Sequence, residues 1–419
     1  MWDPYAEFES ATLSNGLTIH AAHWADRPWE VLGFLVHSGA EQDPVGLEGV
    51  AHFVEHLVLE NARVPKKDIC AFFANSGGSV KLGTTDYAGT SYRFWVPADK
   101  NFLTRALALF GHMLLLARLE RFVEREREVI IGEFRQHFQH QFMYDLAARR
   151  RQALHTGDFL ARFVRPLGTA ESIRRISQLD LQLYYDAHYT PANMSVVGVG
   201  GISLADLVDL LSLSPFGVEK QGARTPFPVP VADVDSPTET RHVFRVSEQL
   251  RTESPFEVGA YGTCAKIPGD ANPQALRVLA DMLDEMLEEE VREKRAWTYH
   301  IDSSCSRYRY FSEFSIECDA LSTKALDEIE EVIDGCIDAL RSSEDLFARA
   351  RSCALASTSM IDVTGKGVCE DALDDLTYRQ RIISLAEVTH DLASVTMNDI
   401  RELLRWLRPE RRWTLITRP

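Results

Sequence analysis

The chain has little of three things that each mark a particular class of protein. It carries only 7 cysteines in 419 residues, an odd number, scattered and never spaced as a CxxC pair. That argues against a disulfide framework and against a cysteine zinc knot. It has no apolar run of about 18 residues, the length a membrane-spanning helix needs, so no membrane partner is expected. Basic residues are outnumbered: 45 Lys plus Arg against 62 Asp plus Glu give a formal charge of −17, which disfavours nucleic acid as a partner. The first residues, Trp2-Asp3-Pro4-Tyr5-Ala6-Glu7, contain no basic segment leading into an apolar one, and a cytoplasmic location is the expectation.

What is present is ample material for buried cores, with 45% hydrophobic residues in a chain two to three domains long. The sharpest change of composition falls at about 212–240, where Pro215, Pro226, Pro228, Pro230 and Pro237 crowd a stretch without periodicity. We read it as a linker between an N-terminal domain, 1–211, and a C-terminal domain, 241–419. The two domains end alike. Ile176-Ser177-Gln178-Leu179-Asp180-Leu181 recurs as Val395-Thr396-Met397-Asn398-Asp399-Ile400, each opening a helix with a hydroxyl cap and a carboxylate three residues on. Each helix leads through a proline turn into an apolar strand, which suggests a duplicated domain.

Asn15-Gly16 between apolar pairs signals a hairpin, and Val31–Val36 reads as a buried strand. A helix should follow from about Leu47, with Leu47, Val50, Ala51, Val54, Leu57 and Val58 on one face. A strand region over 79–96 and helices over 100–117 and 120–155 come next. In the second half, Asn272-Pro273 caps a helix running to about Arg292, and Phe314, Ile316 and Cys318 alternate with polar residues as a half-buried strand. This order predicts an α+β fold of two similar domains, each a mostly antiparallel sheet backed by helices.

Chemistry concentrates on the helix from Leu47. His52-Phe53-Val54-Glu55-His56 places two imidazoles four residues apart and a carboxylate three after the first, all on one face. Such a pair grips one zinc ion, and the neighbouring carboxylate can take a proton from a water activated there. The spacing HxxEH is a metallopeptidase signature in its own right. Further on, Glu126 and Glu133 lie two helical turns apart and share a face, a pattern that also suits a solvated helix with i,i+4 ion pairs.

These residues together resemble the pitrilysin, insulysin and mitochondrial processing peptidase family of inverted zincins. The likeness begins at Ser38-Gly39-Ala40-Glu41, continues through Gly49-Val50-Ala51 into His52–His56, and extends to Glu126 and Glu133. Pro166-Leu167-Gly168-Thr169, Tyr189-Thr190-Pro191-Ala192-Asn193 and Arg292–Tyr299 carry it along nearly the whole chain. The resemblance implies His52, His56 and Glu133 as zinc ligands, Glu55 as general base, and Glu126 as a carboxylate orienting a ligand histidine. It also implies that Arg292 and Tyr299, seven residues apart, reach the substrate, with Tyr299 donating to the oxyanion.

Two features depart from the family. Where its substrate-binding edge strand carries an Asn-Ala step after a glycine pair, this chain has Gly77-Gly78-Ser79-Val80-Lys81-Leu82, with one further residue inserted before Thr90 and Tyr92. Lys81 and Leu82 are therefore the candidate substrate-binding residues. His137, four residues after Glu133, reads as an exposed helix histidine, and Asp284–Glu290 as a solvated acidic face. By resemblance, a chain of two such domains closes a chamber as a homodimer or as a heterodimer with a related subunit. The expected activity is zinc-dependent endopeptidase action on oligopeptides or a peptide leader; the alternative is a non-catalytic structural or partner subunit.

Overall fold

The computed structural model describes residues 2–60, 63–138, 141–229, 231–245, 259–360 and 363–418; Pro230 of the proline-rich stretch lies outside them. The chain divides into two compact units, each discontinuous in sequence. One is Met1–Leu146, Arg162–Phe227 and Asp362–Leu385; the other is Ala147–Ala161, Pro228–Ile361 and Ala386–Pro419. The contiguous reading, 1–211 and 241–419, differs from this at two short segments that belong to the other half of the sequence. Amphipathic periodicity tells which face of a helix is apolar, not which sheet it covers.

The first unit holds a six-stranded sheet. Its strands are β1 (Phe8–Thr12), β2 (Thr18–His23), β3 (Trp29–Val36), β4 (Ser79–Thr85), β5 (Thr90–Pro97) and β6 (Met194–Gly200), in the order β1-β2-β6-β3-β5-β4. Asn15-Gly16 does turn a hairpin, with Thr12 opposite Thr18 and Gly16 at φ +87°. The 79–96 region is likewise a hairpin, β4 against β5, which leaves β4 on the sheet edge. Alternation along the strands assigns the two faces. Leu32, Phe34, Tyr92, Phe94 and Val96 meet Val50, Phe53, Val54 and Leu57 of the helix Val50–Leu59 in one core. Val31, Leu35, Val197 and Val199 meet Val368, Cys369, Ala372, Leu373 and Leu376 of the helix Gly365–Arg379 in another.

The second unit repeats the plan with β7 (Arg241–Arg245), β8 (Gly259–Pro268), β9 (Ile301–Arg307), β10 (Phe311–Leu321) and β11 (Arg412–Arg418), in the order β7-β11-β8-β10-β9. In both sheets a parallel pair, β2/β6 or β7/β11, is followed by an antiparallel partner, β3 or β8. The two matching corners are the capping boxes of Ser177 with Asp180 and Thr396 with Asp399, each opening the helix before the strand β6 or β11. The core face of this sheet, including Ala265, Ile267, Phe314 and Ile316, packs on Leu279, Met282, Leu283 and Ile329. Cys264 and Trp413, on the other face, pack on Ala153 and Leu154.

Several boundaries differ from those the periodicity suggests. The expected helix 120–155 is two helices, Val123–His137 and Gln141–Leu154, and no Gly or Pro in the sequence announces the break at Phe138. The helix expected to reach Arg292 is α-helical over Pro273–Leu287 and continues as a π-helical turn over Glu288–Glu293. No described helix is long and apolar enough to cross a membrane.

Candidate metal centre

The helix that carries the HxxEH residues starts at Val50, three residues later than its apolar periodicity suggested. Gly46 and Gly49 have φ of +84° and +101°, so the approach cannot be helical. A Cβ on Gly49 would also stand 2.6 Å from the Leu167 carbonyl oxygen. The start of the helix is capped by a side chain outside it: the Asp43 carboxylate accepts from Gly49 N, just before the helix, at 2.6 Å and from Ala51 N at 2.8 Å. This capping fixes the helix in rotation, and with it the directions of His52, Glu55 and His56.

Nine of the helix's ten residues are buried, including His52 and Glu55. Its polar face is covered by the helix Val123–His137 and by β4. His52 Nε2 and His56 Nε2 lie 3.7 and 3.6 Å from the same oxygen, Glu133 Oε2. These separations are too long for hydrogen bonds. They are close to the edge of a tetrahedron around a metal with ligand bonds of about 2.0–2.1 Å, an edge of about 3.4 Å. His52, His56 and Glu133 thus offer three ligand atoms within 4.8 Å of one another, and the donor set of two imidazoles and a carboxylate fits a divalent ion such as zinc.

The two histidines are held differently. His56 Nδ1 is 3.2 Å from Glu126 Oε2, which leaves Nε2 free to face Glu133. Glu126 is anchored in turn by Arg125, whose Nε and Nη2 donate to its other oxygen at 2.8 and 2.7 Å, and Arg125 also pairs with Glu60 at 2.8 Å. His52 Nδ1, by contrast, is buried with no hydrogen-bond partner among the described residues. Burial works to lower the His56 pKa, but its contacts with Glu126 and Glu133 and the charge of Glu55 raise it to about 9. Burial, reinforced by His56, lowers His52 to about 4. His56 holds Glu133 below the usual carboxylate range, although burial opposes it.

Glu55 is buried beside the cluster, and loss of solvent pushes its carboxyl above the ordinary value despite a hydrogen bond from the Thr85 hydroxyl at 2.7 Å. Its other oxygen faces Gly83, where a Cβ would approach within 2.1 Å. Gly83 lies at φ +71° in a bulge: the β4–β5 register shifts between Lys81, opposite Arg93, and Thr84, opposite Ser91. The residue expected as an insertion is absorbed there, and the extra twist brings β4 over the carboxylate. Sequence reasoning misses Gly83, Thr85, Asp43 and Arg125. Gly83 and Thr85 act on Glu55 from a strand remote in sequence, Asp43 and Arg125 act on near neighbours, and none of the four sits in a motif.

The remaining candidates fall into place separately. Lys81 and Leu82 project to opposite faces of the sheet. Leu82 packs on the core beneath the metal helix, whereas Lys81 Nζ lies 3.9 Å from Glu370 on the helix Gly365–Arg379. Arg292 and Tyr299, in the second unit, meet directly: the guanidinium stands 5.1 Å above the Tyr299 ring, which is 83% exposed. Arg292 projects from the π-helical turn and pairs with Glu288 at 2.5 Å. His137 Nε2 is 3.7 Å from Glu133 Oε1, beside the cluster but on the oxygen that faces away from the other two histidines.

Comparison with known proteins gives this geometry a context. Residues 28–157 match the model described as insulinase (peptidase family M16), and residues 175–352 match the peptidase M16 inactive domain. The probable zinc protease PqqL of Escherichia coli is 30% identical over 190 residues, which cover 43% of this chain and 20% of that protein. Human cytochrome b-c1 complex subunit 1, mitochondrial, is 24% identical over 421 residues, covering 95% of this chain and 83% of that protein. The chain thus spans a fifth of the first relative and most of the second. A protease from Helicobacter pylori shares the fold with a TM-score of 0.80 at 16% identity, over 100% of both chains. The periplasmic protease PqqL does so with a TM-score of 0.80 at 17% identity, over 98% of this chain and 47% of that one. That last similarity overturns the cytoplasmic location expected from the sequence. The fold is at home in a periplasm, and the surface chemistry of a globular domain is alike in either compartment.

Proposed function

The chain belongs to the M16 peptidase family, and on that premise we propose that it is a zinc-dependent endopeptidase acting on oligopeptides or a peptide leader. The observation that carries the reading is the convergence of His52, His56 and Glu133 beside the buried carboxylate of Glu55. In the proposed site these three residues hold the ion. Zinc bound there supplies Lewis acidity, lowering the pKa of the attacking water to near neutrality.

The protein's own groups then manage the proton. Thr85 fixes one oxygen of Glu55, and the missing side chain of Gly83 keeps the other clear, so that oxygen takes the water's proton and delivers it to the leaving amide nitrogen. Burial raises the basicity of Glu55, which suits the task. Glu126 keeps the His56 ring turned toward Glu133. The substrate is proposed to lie extended along the free edge of β4, where backbone pairing accepts many sequences and straightens the chain. Arg292 and Tyr299 are proposed to bind the peptide backbone, the guanidinium and phenol each donating to a carbonyl oxygen. Two copies, or this chain and a related subunit, are proposed to enclose the chamber in which this happens.

A second reading has its own support. The human relative matched along nearly the whole chain is a subunit of the cytochrome b-c1 complex, so a non-catalytic partner role is the alternative for this chain too. Digestion of a mixed peptide library, read by mass spectrometry with Glu55→Gln as control, separates the two. Cleavage present in the wild type and absent in the variant supports the peptidase. No cleavage by a wild type shown to contain zinc supports the partner subunit.

A further inference from the structure

On the sheet face away from the metal helix, at the free edge, lies a pocket of about 270 Å³. Ser79, Val80 and Lys81 of β4 and Arg93 and Trp95 of β5 line it, with Lys366 and Glu370 from the helix Gly365–Arg379. Three cations and one carboxylate face this space in a chain whose overall charge is −17, so the local sign runs against the whole. Its volume is below the range usual for cofactors or drug-sized ligands and suits one side chain or chain end.

Two of the cations are partly used. Arg93 is 14% exposed and pairs with Glu370 at 2.5 Å, and Lys81 is 3.9 Å from the same carboxylate. Lys366 has no carboxylate partner among the described residues; its ammonium stands 5.2 Å from the centre of the Trp95 ring. The pocket therefore has an aromatic wall, a cation to spare and a carboxylate already bound at its Arg93 side. That carboxylate is the chain's own Glu370, whose pairing with Arg93 illustrates the complementarity a second carboxylate would find at Lys366.

We infer that this pocket is a carboxylate subsite: it receives an acidic side chain, or the terminal carboxylate, of a peptide lying along the β4 edge. Side chains of a strand alternate between faces, so a peptide whose backbone follows β4 sends every second residue toward Ser79 and Lys81. Gly83, beside the Glu55 carboxylate, is two to four residues along β4 from Lys81 and Ser79, or roughly 7–13 Å at about 3.3 Å per residue. The preferred carboxylate accordingly sits two to four residues from the bond over Glu55. This deepens the peptidase reading and rests on it for the path of the chain, but binding can be measured without turnover.

The test uses fluorescent decapeptides identical except for Glu or Gln at one internal position, and a further pair with a free or an amidated C-terminus. They are titrated by anisotropy against the whole chain, its Lys366→Glu variant and the Lys81→Glu/Lys366→Glu variant. The wild type is expected to bind the internal Glu or the free terminus about two- to fivefold more tightly than its neutral twin, an advantage that falls with salt. The charge reversals, both at exposed positions, should abolish or invert that preference. The member of the two pairs that shows the effect identifies the side chain or the terminus as the source. Equal binding of both twins in both pairs, or a preference that survives the double reversal, overturns the inference. Loss of cleavage by the wild type with the binding preference intact counts against the peptidase reading alone.

Discussion

Each unit buries a cluster of acids, histidines and arginine, and the two clusters solve the same electrostatic problem in opposite ways. In the second unit, Glu313 of β10 is 3% exposed and shares one oxygen between Arg151 and His155 Nε2, the latter at 2.5 Å. Arg151 also donates to the Tyr308 hydroxyl at 3.0 Å, while His155 Nδ1 and Lys266 converge on Asp158 at 3.1 and 2.8 Å. Two carboxylates meet two permanent cations, and the histidine between them contacts both acids. In the first unit, Glu55, Glu126 and Glu133 are balanced, among the described residues, by Arg125 as the one permanent cation paired to them, and one ring nitrogen each of His52 and His56 turns toward one point. Acceptors outnumber donors there. A buried cluster that is closed on itself acts as a fastening; one that is left short of a cation is a candidate binding site.

The difference can be tested by breaking each cluster in turn. Glu55→Gln keeps the shape of the first cluster and removes its proposed base, so on the peptidase reading cleavage should fall by about a thousandfold while zinc content, measured by atomic emission, stays the same. Glu313→Gln should do the reverse. It leaves Arg151 buried without its anion and should destabilise the second unit by about 3–5 kcal/mol in denaturant unfolding followed by hydrogen exchange, with zinc content unchanged. If zinc falls as well, the two clusters are not energetically separate.

Smaller changes sharpen the contrast. Glu126→Gln weakens the hold on the His56 ring and should reduce zinc affinity about 10- to 100-fold in a chelator competition, with little change in stability. Gly83→Ala forces a side chain into a left-handed conformation against Glu55 and should lower kcat about tenfold with zinc still bound. The remaining effect is pH-linked. Burial works to raise the Glu313 pKa, but His155 and Arg151 depress it from 4.5 to about 2. Its folded pKa lies below its unfolded one, so its contribution is complete above about pH 4.5 and is lost as pH falls toward 2. Hydrogen exchange of β10 should show that loss in the wild type and not in Glu313→Gln.

Much of the first cluster is legible in the sequence, because its information is local. His52, Glu55 and His56 are brought together by the pitch of one helix, and Glu126 and Glu133 by the pitch of another, so spacing alone puts each set on a face. The capping boxes at Ser177 and Thr396 are equally local, and they disclose the duplication that the strand orders display in full. The second cluster is not legible at all. Arg151 and His155 stand at the end of one helix, and Glu313 is a polar residue on an alternating strand, a pattern that reads as a solvated face.

The sequence by itself therefore determined the metal helix, its supporting glutamates, the α+β plan and its repetition, since these depend on periodicities a few residues long. Only the tertiary structure decided that the helix Gly365–Arg379 covers the first sheet and that residues 147–161 join the second unit. It alone placed Gly83 and Thr85 on Glu55, and set Lys81 against Glu370. An apolar stripe or a charged side chain states what it needs from a partner. Which of several equally suitable partners it meets is settled by the packing of the whole chain, where the choices must be mutually compatible.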